Sequence, residues 1–227
     1  MSHRLLKIFI VMGCTALLLD SGGCRKDIIG PETITGSGHL VSQSRDVGTF
    51  TGVRVTGIGK VIITQDAQQS VRIEADDNVI GRIETSVHGG VLDVGLTGGS
   101  YSNVTINISI SMSTIDRLES VGTADFTTPE PISAGTITCN ITGAGKIRLK
   151  GTATKEIIVL AGAGDVQNFD LVAAQGVVTI SGTGNVEVNA SDQLDAVVSG
   201  VGTITYAGNP PIVHSTISGV GAIKPKP

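Results

Sequence analysis

The stretch Ile141-Thr-Gly-Ala-Gly-Lys-Ile147 contains a pattern that recurs along the chain: an apolar residue, a small residue, glycine, any residue, glycine, a variable residue and a second apolar residue. Further copies begin at Ile34, Val55, Leu160, Ile180, Val198 and Ile217, and a variant lacking the second glycine begins at Ser120. The first glycines of successive copies lie 18 to 21 residues apart, except for one interval of 65 residues in which the pattern lapses for roughly three periods. A period near 20 residues is typical of a solenoid.

The segments that follow the glycines alternate apolar and polar residues, as half-buried strands do; 146–150 and 185–189 are examples. Val, Ile and Thr dominate, no segment shows a helical period with caps, and leucine is too sparse for leucine-rich repeats. The sequence therefore predicts an all-β fold, a single-stranded parallel β-helix (solenoid) with about 20 residues per coil. Residues 64–118 depart from the period and predict longer, less regular strands, some antiparallel, that cap or widen the solenoid.

The paired glycines are predicted to be structural. In an extended chain Ile141, Gly143, Gly145 and Ile147 fall on the same side, and the apolar members must face inward. The glycines then face inward as well, or lie at a corner with positive φ, where two walls meet and no Cβ fits. The predicted structural glycines are Gly57, Gly59, Gly143, Gly145, Gly162, Gly164, Gly182, Gly184, Gly200, Gly202, Gly219 and Gly221. The same alternation predicts that Tyr206 belongs to the core.

The N-terminal 23 residues have the organisation of a signal peptide. Arg4 and Lys7 precede an apolar run over residues 8–19, which is too short to span a membrane as a helix. Small residues then precede Cys24, which we predict to be the lipidation site of a bacterial lipoprotein; Cys14 is a rival acceptor, and simple cleavage to a free periplasmic protein is the alternative.

These boundaries divide the chain into three parts. Residues 1–23 are the predicted signal peptide, residues 24–45 the lipidated cysteine and a tether, and residues 46–223 the β-helix domain. Cys139 alternates with inward isoleucines, so it is predicted to be a small core residue.

Composition excludes several kinds of function. A net charge of −4 predicts no nucleic-acid partner, since no basic face is available for a phosphate backbone. The histidines lack metal-ligand spacing, and the residue after the second glycine varies too freely for a calcium ladder, so we expect no metal and no cofactor. The acidic residues offer no obvious pair on neighbouring coils, so no catalytic residue is predicted.

One longer series of motifs resembles a known family. Phe50-Thr-Gly-Val-Arg-Val-Thr-Gly-Ile-Gly-Lys-Val-Ile-Ile-Thr-Gln65 is followed by Ser70-Val-Arg-Ile-Glu-Ala-Asp-Asp-Asn78, Ile83-Glu-Thr-Ser-Val87, Gly90-Val-Leu-Asp-Val94 and then the Gly-x-Gly coils. This order, over residues 46–223, resembles the auto-transporter adhesin, head GIN domain family of Bacteroidetes-type bacteria. The resemblance implies an exported, often lipid-anchored, right-handed parallel β-helix, and it brings no catalytic residues with it.

We therefore expect a non-enzymatic cell-envelope lipoprotein, adhesin-like or binding a protein or glycan. The alternative is a polysaccharide-degrading β-helix enzyme. The expected location is the outer membrane, facing the periplasm or the cell surface. The expected partners are the membrane, through the N-terminal lipid, an unknown surface protein or glycan, and a second copy through the terminal coils.

Overall fold

The computed structural model describes residues 33–227, whose regular secondary structure consists of strands and one 3-10 turn, Ile80–Arg82. The strands before the first regular coil and within the long interval are β1 (Thr33–Thr35), β2 (Leu40–Arg45), β3 (Gly52–Val55), β4 (Ile58–Gln65), β5 (Ser70–Asp76), β6 (Ile83–His88), β7 (Val91–Leu96), β8 (Ser100–Ser102) and β9 (Ile106–Met112). The remaining strands are β10 (Arg117–Ser120), β11 (Thr123–Thr127), β12 (Ile132–Ile141), β13 (Ala144–Arg148), β14 (Gly151–Leu160), β15 (Ala163–Ile180), β16 (Thr183–Val198), β17 (Val201–Ala207), β18 (Ile212–Ile217) and β19 (Val220–Pro225). Residues 33–227 include no helix that is long and apolar enough to cross a membrane.

The predicted β-solenoid is confirmed: parallel coils stack about 20 residues apart, in about five turns. Each regular coil has three walls. Wall 1 precedes the glycine corner, as in residues 175–180; wall 2 follows it, as in residues 183–187; wall 3 is a short segment such as residues 171–173. Corresponding walls of neighbouring coils pair in parallel, so each coil completes the hydrogen bonds of the next.

Inward side chains of neighbouring coils stack in columns that fill the solenoid. On wall 2 one such column contains Val61, Phe126, Ile147, Val166, Val186 and Ile204, which are at most 1% exposed. Burial of each is worth about 1.5–3 kcal/mol, most of which the entropy of ordering the chain offsets. Because a single coil cannot cover its own inward face, stability comes from stacking. Tyr206 packs against this core, on the side that the alternation predicts, but it is only partly buried.

The long interval between Gly57 and Gly122 is an insertion, which corrects the prediction of three lapsed periods. β3 pairs directly with β10, and β4 with β11, so the two glycines belong to neighbouring coils. The intervening chain stacks on the other side of the first coil, where β7 pairs with β3 and β9 with β4. The predicted antiparallel strands are present here: β5 lies between β9 and β2, and β6 lies beside β7.

Residues 33–45, predicted to be part of a tether, belong to the fold. β1 pairs with β8, and β2 pairs antiparallel with β5. The Gly-x-Gly motif at Gly36 and Gly38 therefore lies outside the glycine column. It is held by the buried carboxylate of Asp76, which accepts hydrogen bonds from the amides of Gly38 and Thr105, both at 2.7 Å. These bonds, that from Thr105 above all, lower the pKa of Asp76.

Candidate functional site

The glycine corner joins wall 1 to wall 2 in every regular coil. The first glycines form one column, Gly57, Gly122, Gly143, Gly162, Gly182, Gly200 and Gly219, and from Gly122 onward a Cβ on each would collide with the carbonyl oxygen of the glycine before it. The second column runs through Gly59, Ala124, Gly145, Gly164, Gly184, Gly202 and Gly221. From Gly145 onward a Cβ would meet the carbonyl of the preceding member, whereas one on Gly59 would meet the side chain of Ile108 at 3.0 Å.

The corner is a stacking device, because its polar backbone groups are used between coils. The amide of Val201 donates to the carbonyl of Gly182 at 2.9 Å, and the amide of Val220 donates to that of Gly200 at 2.8 Å. The residue between the two glycines points outward, and Thr183, Val201 and Val220 are all exposed there. Substitution between the glycines is therefore tolerated sterically, while substitution at a glycine is not.

Wall 2 carries a shallow groove lined by polar side chains, which we call the wall-2 polar face. Its members are Asp165, Gln167, Asn185, Glu187, Thr203, Thr205 and Lys224, around a volume of about 340 Å³. They come from β15, β16, β17 and β19, and the parallel register stacks them in two columns. Within residues 33–227, the hydrogen bonds of these side chains join Asn185 to Asp165 and Gln167 to Arg148. The other members present their polar groups to solvent.

Wall 1 carries an ionic cluster centred on Arg54. Its guanidinium lies 2.6 Å from Glu119 on one side and 3.6 Å from Asp93 on the other. Glu119 is largely buried and also accepts hydrogen bonds from Arg117 and Asn140, both at 3.3 Å. Hydrogen bonding and the charge of Glu119 raise the pKa of Arg54. Sequence reasoning missed this pairing of acids across neighbouring coils because the 65-residue interval hides the adjacency of β7, β3 and β10.

The cluster is arranged as a structural bridge. Both carboxylates face the same arginine, and Glu119 accepts hydrogen bonds from three donors, Arg54, Arg117 and Asn140, as in a structural ion-pair network. Among residues 33–227, His, Cys, Asp and Glu do not form a group of three that could hold a metal ion.

Comparison with known proteins identifies the family. The sequence profile of the family described as "Putative auto-transporter adhesin, head GIN domain" matches residues 49–210. The chain belongs to this family. Membership in the head GIN domain family supports an adhesin-like role and an exported or surface protein. No curated protein matches the chain.

Two solved structures resemble this head GIN domain chain. One, described as a putative adhesin from Bacteroides fragilis NCTC 9343, is 23% identical with a TM-score of 0.68, and the match covers 85% of this chain and 100% of that one. The other is described as a putative lipid binding protein from Parabacteroides distasonis ATCC 8503 and is 18% identical with a TM-score of 0.53. The match covers 86% of this chain and 100% of that one. At these identities the two structures show the shared fold alone.

A buried acid lies inside this head GIN domain. Glu156 faces inward on wall 1 between Ile137 and Gly176 of the adjoining coils and is fully buried. Asn168 donates to its Oε1 at 2.5 Å, whereas its Oε2 has no partner within residues 33–227. Desolvation raises the pKa of Glu156 to about 8, so the acid is mostly protonated at neutral pH. Burial likewise raises the pKa of Cys139, whose placement in the core agrees with the sequence-based prediction.

The predicted lipidation site, Cys24, lies outside the described residues, as do the predicted signal peptide and the first part of the predicted tether. Lipid attachment therefore stays a prediction from the sequence of this head GIN domain chain.

Proposed function

We propose that the chain is a non-enzymatic, lipid-anchored, adhesin-like module of the cell envelope that binds an extended polar ligand on the wall-2 polar face. The observation that carries this proposal is the stacking of polar side chains in register on successive coils of one wall. A stack of coils whose backbone groups are paired with one another is a rigid scaffold. Its outward side chains are free to vary without disturbing the core.

The chemistry of the face favours a hydroxyl-rich glycan. Asp165 and Glu187 supply acceptors, Lys224 supplies donors, and the amides of Gln167 and Asn185 supply both. Coils repeat about every 4.7–4.9 Å, whereas an extended peptide repeats a side-chain position only about every 6.6–6.8 Å, so a peptide lying along the stack cannot repeat one contact on successive coils. Sugar hydroxyls both donate and accept and need no such register. A surface protein as ligand is the other outcome of the test below.

The anchor is proposed from the sequence. The basic residues Arg4 and Lys7, the apolar run after them and the small residues before Cys24 support export and lipid attachment. With one lipid-bearing end, the solenoid would stand on the outer membrane and offer its walls to the periplasm or the exterior.

The binding test uses the chain with Cys24→Ser, which prevents acylation, on an array of bacterial and host polysaccharides. The double variant Gln167→Ala with Glu187→Ala should lose binding at least about tenfold, since it removes polar contacts on two neighbouring coils. Gln175→Ala is the matched control: Gln175 is an exposed glutamine in the same strand, β15, but on wall 1. Equal loss in the control would contradict the assignment to wall 2. If the array shows no binding and a surface protein is captured through wall 2 instead, the glycan assignment is wrong.

The same polysaccharides distinguish the enzymatic alternative. Incubation should produce neither new reducing ends nor unsaturated products, because the acids of the Arg54 cluster are occupied by ion pairs. Turnover that disappears in Glu119→Gln would show that this cluster is catalytic and would overturn the non-enzymatic assignment.

A further inference from the structure

A cleft opens on wall 2 beside the glycine corner at Gly57, and we call it the corner cleft. Its lining includes Ile58 and Lys60 of β4, Ile106 and Asn107 of β9, and Thr123 and Asp125 of β11. Its volume is about 200 Å³, which is below the roughly 300–1,000 Å³ of pockets that enclose a drug-sized ligand. The corner cleft therefore fits one substituent of a larger ligand.

The corner cleft exists because β9 joins β4 late. The first residues of the two strands in register are Lys60 and Asn107, so Ile58 has no partner in β9. The chain just before β9 is held by Asp76 instead. The amide of Thr105 donates to the Asp76 carboxylate at 2.7 Å, and the Thr105 carbonyl accepts the amide of Asp76 at 3.3 Å. Because Asp76 is buried, the opening between the strands is fixed by the fold.

The inner part of the corner cleft is apolar. Ile106 belongs to the core and is 4% exposed, whereas Ile58 lies between the two corner glycines and is 36% exposed. A small apolar group placed against these two side chains would remove apolar surface of the protein and its own surface from water, which is favourable.

The rim of the corner cleft offers one donor and two acceptors. The ion pairs within residues 33–227 do not include Lys60, whose ammonium group is left to donate to a ligand. Asp125 accepts the amide of Lys146 with Oδ1 at 2.9 Å, which orients the carboxylate and leaves Oδ2 for a ligand. Asn107 donates through Nδ2 to Glu74 at 3.0 Å, so its Oδ1 is left to accept.

We infer that the corner cleft is a subsite for the acetamido group of an N-acetylated sugar. The methyl group packs against Ile58 and Ile106, Lys60 donates to the carbonyl oxygen, and the amide N–H donates to Asp125 or to the side-chain oxygen of Asn107. A hydroxyl in the same place would leave the apolar part of the cleft unfilled. This inference rests on the proposed glycan-binding function and names the class of sugar.

The corner cleft lies in line with the wall-2 polar face. Lys60, Asp125, Lys146 and Asp165 occupy the same outward position on successive coils. Three coil steps separate Lys60 from Asp165, about 14 Å at 4.7–4.9 Å per coil, so one oligosaccharide along wall 2 can contact both places. The charges alternate in sign along this line, which favours a neutral ligand, such as an N-acetylated sugar, over a polyanion or a polycation.

A matched pair of neutral oligosaccharides tests the inference. The chain with Cys24→Ser is titrated in a calorimeter with the β-1,4-linked tetramer of N-acetylglucosamine and with cellotetraose, which has a hydroxyl in place of each acetamido group. The N-acetylated tetramer should bind at least about tenfold more tightly, as expected from one buried methyl group and one or two hydrogen bonds. Equal affinities would overturn the inference and leave the glycan function standing. Binding of neither would overturn it as well, while the polysaccharide array tests the glycan function separately.

Substitutions at the position between the corner residues locate the subsite. Ile58→Ser removes an apolar wall and Thr123→Phe fills the cleft, so each should reduce the preference for the N-acetylated tetramer to less than about twofold. Val201→Ser and Thr183→Phe are the matched controls, since they change the equivalent residues of later coils, away from the cleft, and should keep the preference. Circular dichroism and a thermal melt verify that all four variants fold. A preference that survives in either cleft variant, or that is lost in a control as well, would overturn the inference.

Discussion

The carbonyl oxygen of Gly162 occupies the place where a Cβ on Gly182 would have to be. The two glycines are equivalent corner residues of neighbouring coils, so each coil can approach the next only because this side chain is missing. Gly182→Val should therefore destabilise the protein strongly, by about 4 kcal/mol or more, in urea unfolding followed by circular dichroism.

Thr183→Val is the control for the corner. Thr183 is exposed between the two glycines, and Val201 and Val220 already occupy the same position in later coils. The free energy of unfolding should change by less than about 0.5 kcal/mol. Comparable losses in Gly182→Val and Thr183→Val would mean that the corner does not limit the approach of the coils.

The buried acid Glu156 should make stability depend on pH. Its pKa is raised from 4.5 to about 8 in the folded protein, and the groups around it are the amide of Asn168 and the thiol of Cys139. The contribution of Glu156 to the free energy of unfolding is therefore fully present below pH 4.5 and is lost as pH rises through 8. Between these two values the free energy of unfolding falls by up to about 1.4 kcal/mol per pH unit, because only the unfolded chain releases the proton there.

Glu156→Gln should remove this part of the pH dependence while its side-chain oxygen still accepts the hydrogen bond from Asn168. Urea unfolding at pH 5, 7 and 9 measures it, and the variant should exceed the parent protein in stability by several kcal/mol at pH 9. Parallel pH profiles for the two proteins would show that Glu156 is not a buried neutral acid.

The Arg54 cluster should hold the inserted strands against the regular coils. Arg54→Ala leaves Glu119 largely buried with fewer hydrogen-bond donors, so we expect the free energy of unfolding to fall by about 1–2 kcal/mol. That is less than for a fully buried pair, because the Arg54 side chain is 37% exposed and partly screened by water. A double-mutant cycle with Glu119→Gln measures the coupling energy, and a value near zero would exclude a structural bridge.

Lipid attachment is tested in cells. Cys24→Ser should abolish incorporation of labelled palmitate and shift the protein from the membrane fraction to the soluble fraction, because one residue is predicted to carry the anchor. Cys14→Ser is the control and should leave both properties unchanged. If the parent protein incorporates no palmitate, the prediction of a lipoprotein is wrong.

Local patterns in the sequence predict much of this fold. Alternation in segments such as residues 185–189 predicts which side chains are buried, and the spacing of the glycine pairs predicts both the solenoid and the size of a coil. These signals are local because every coil repeats the same inward positions and the same corner.

The stacking order is set by contacts that the period does not encode. Nothing in the 65-residue interval indicates that Gly57 and Gly122 belong to neighbouring coils, so the Arg54 cluster could not be predicted. Residues 33–45 were predicted to belong to a tether because Gly36 and Gly38 lie in a polar segment. The contacts that hold this segment in the fold come from far along the chain: the carboxylate of Asp76 binds the amide of Gly38, and β2 pairs with β5. Glu156 breaks the apolar pattern of its wall, and only its burial shows why that matters.

Attachment of whole cells is the most direct test of the proposed adhesin-like role. Bacteria displaying the anchored chain should adhere to a surface coated with the polysaccharide that the array identifies. Cells carrying Gln167→Ala with Glu187→Ala should lose most of that adhesion at equal surface protein, while cells carrying Gln175→Ala should adhere like the parent strain. Undiminished adhesion of the wall-2 variant, with the folded protein present at the surface, would contradict the assignment of function to this face.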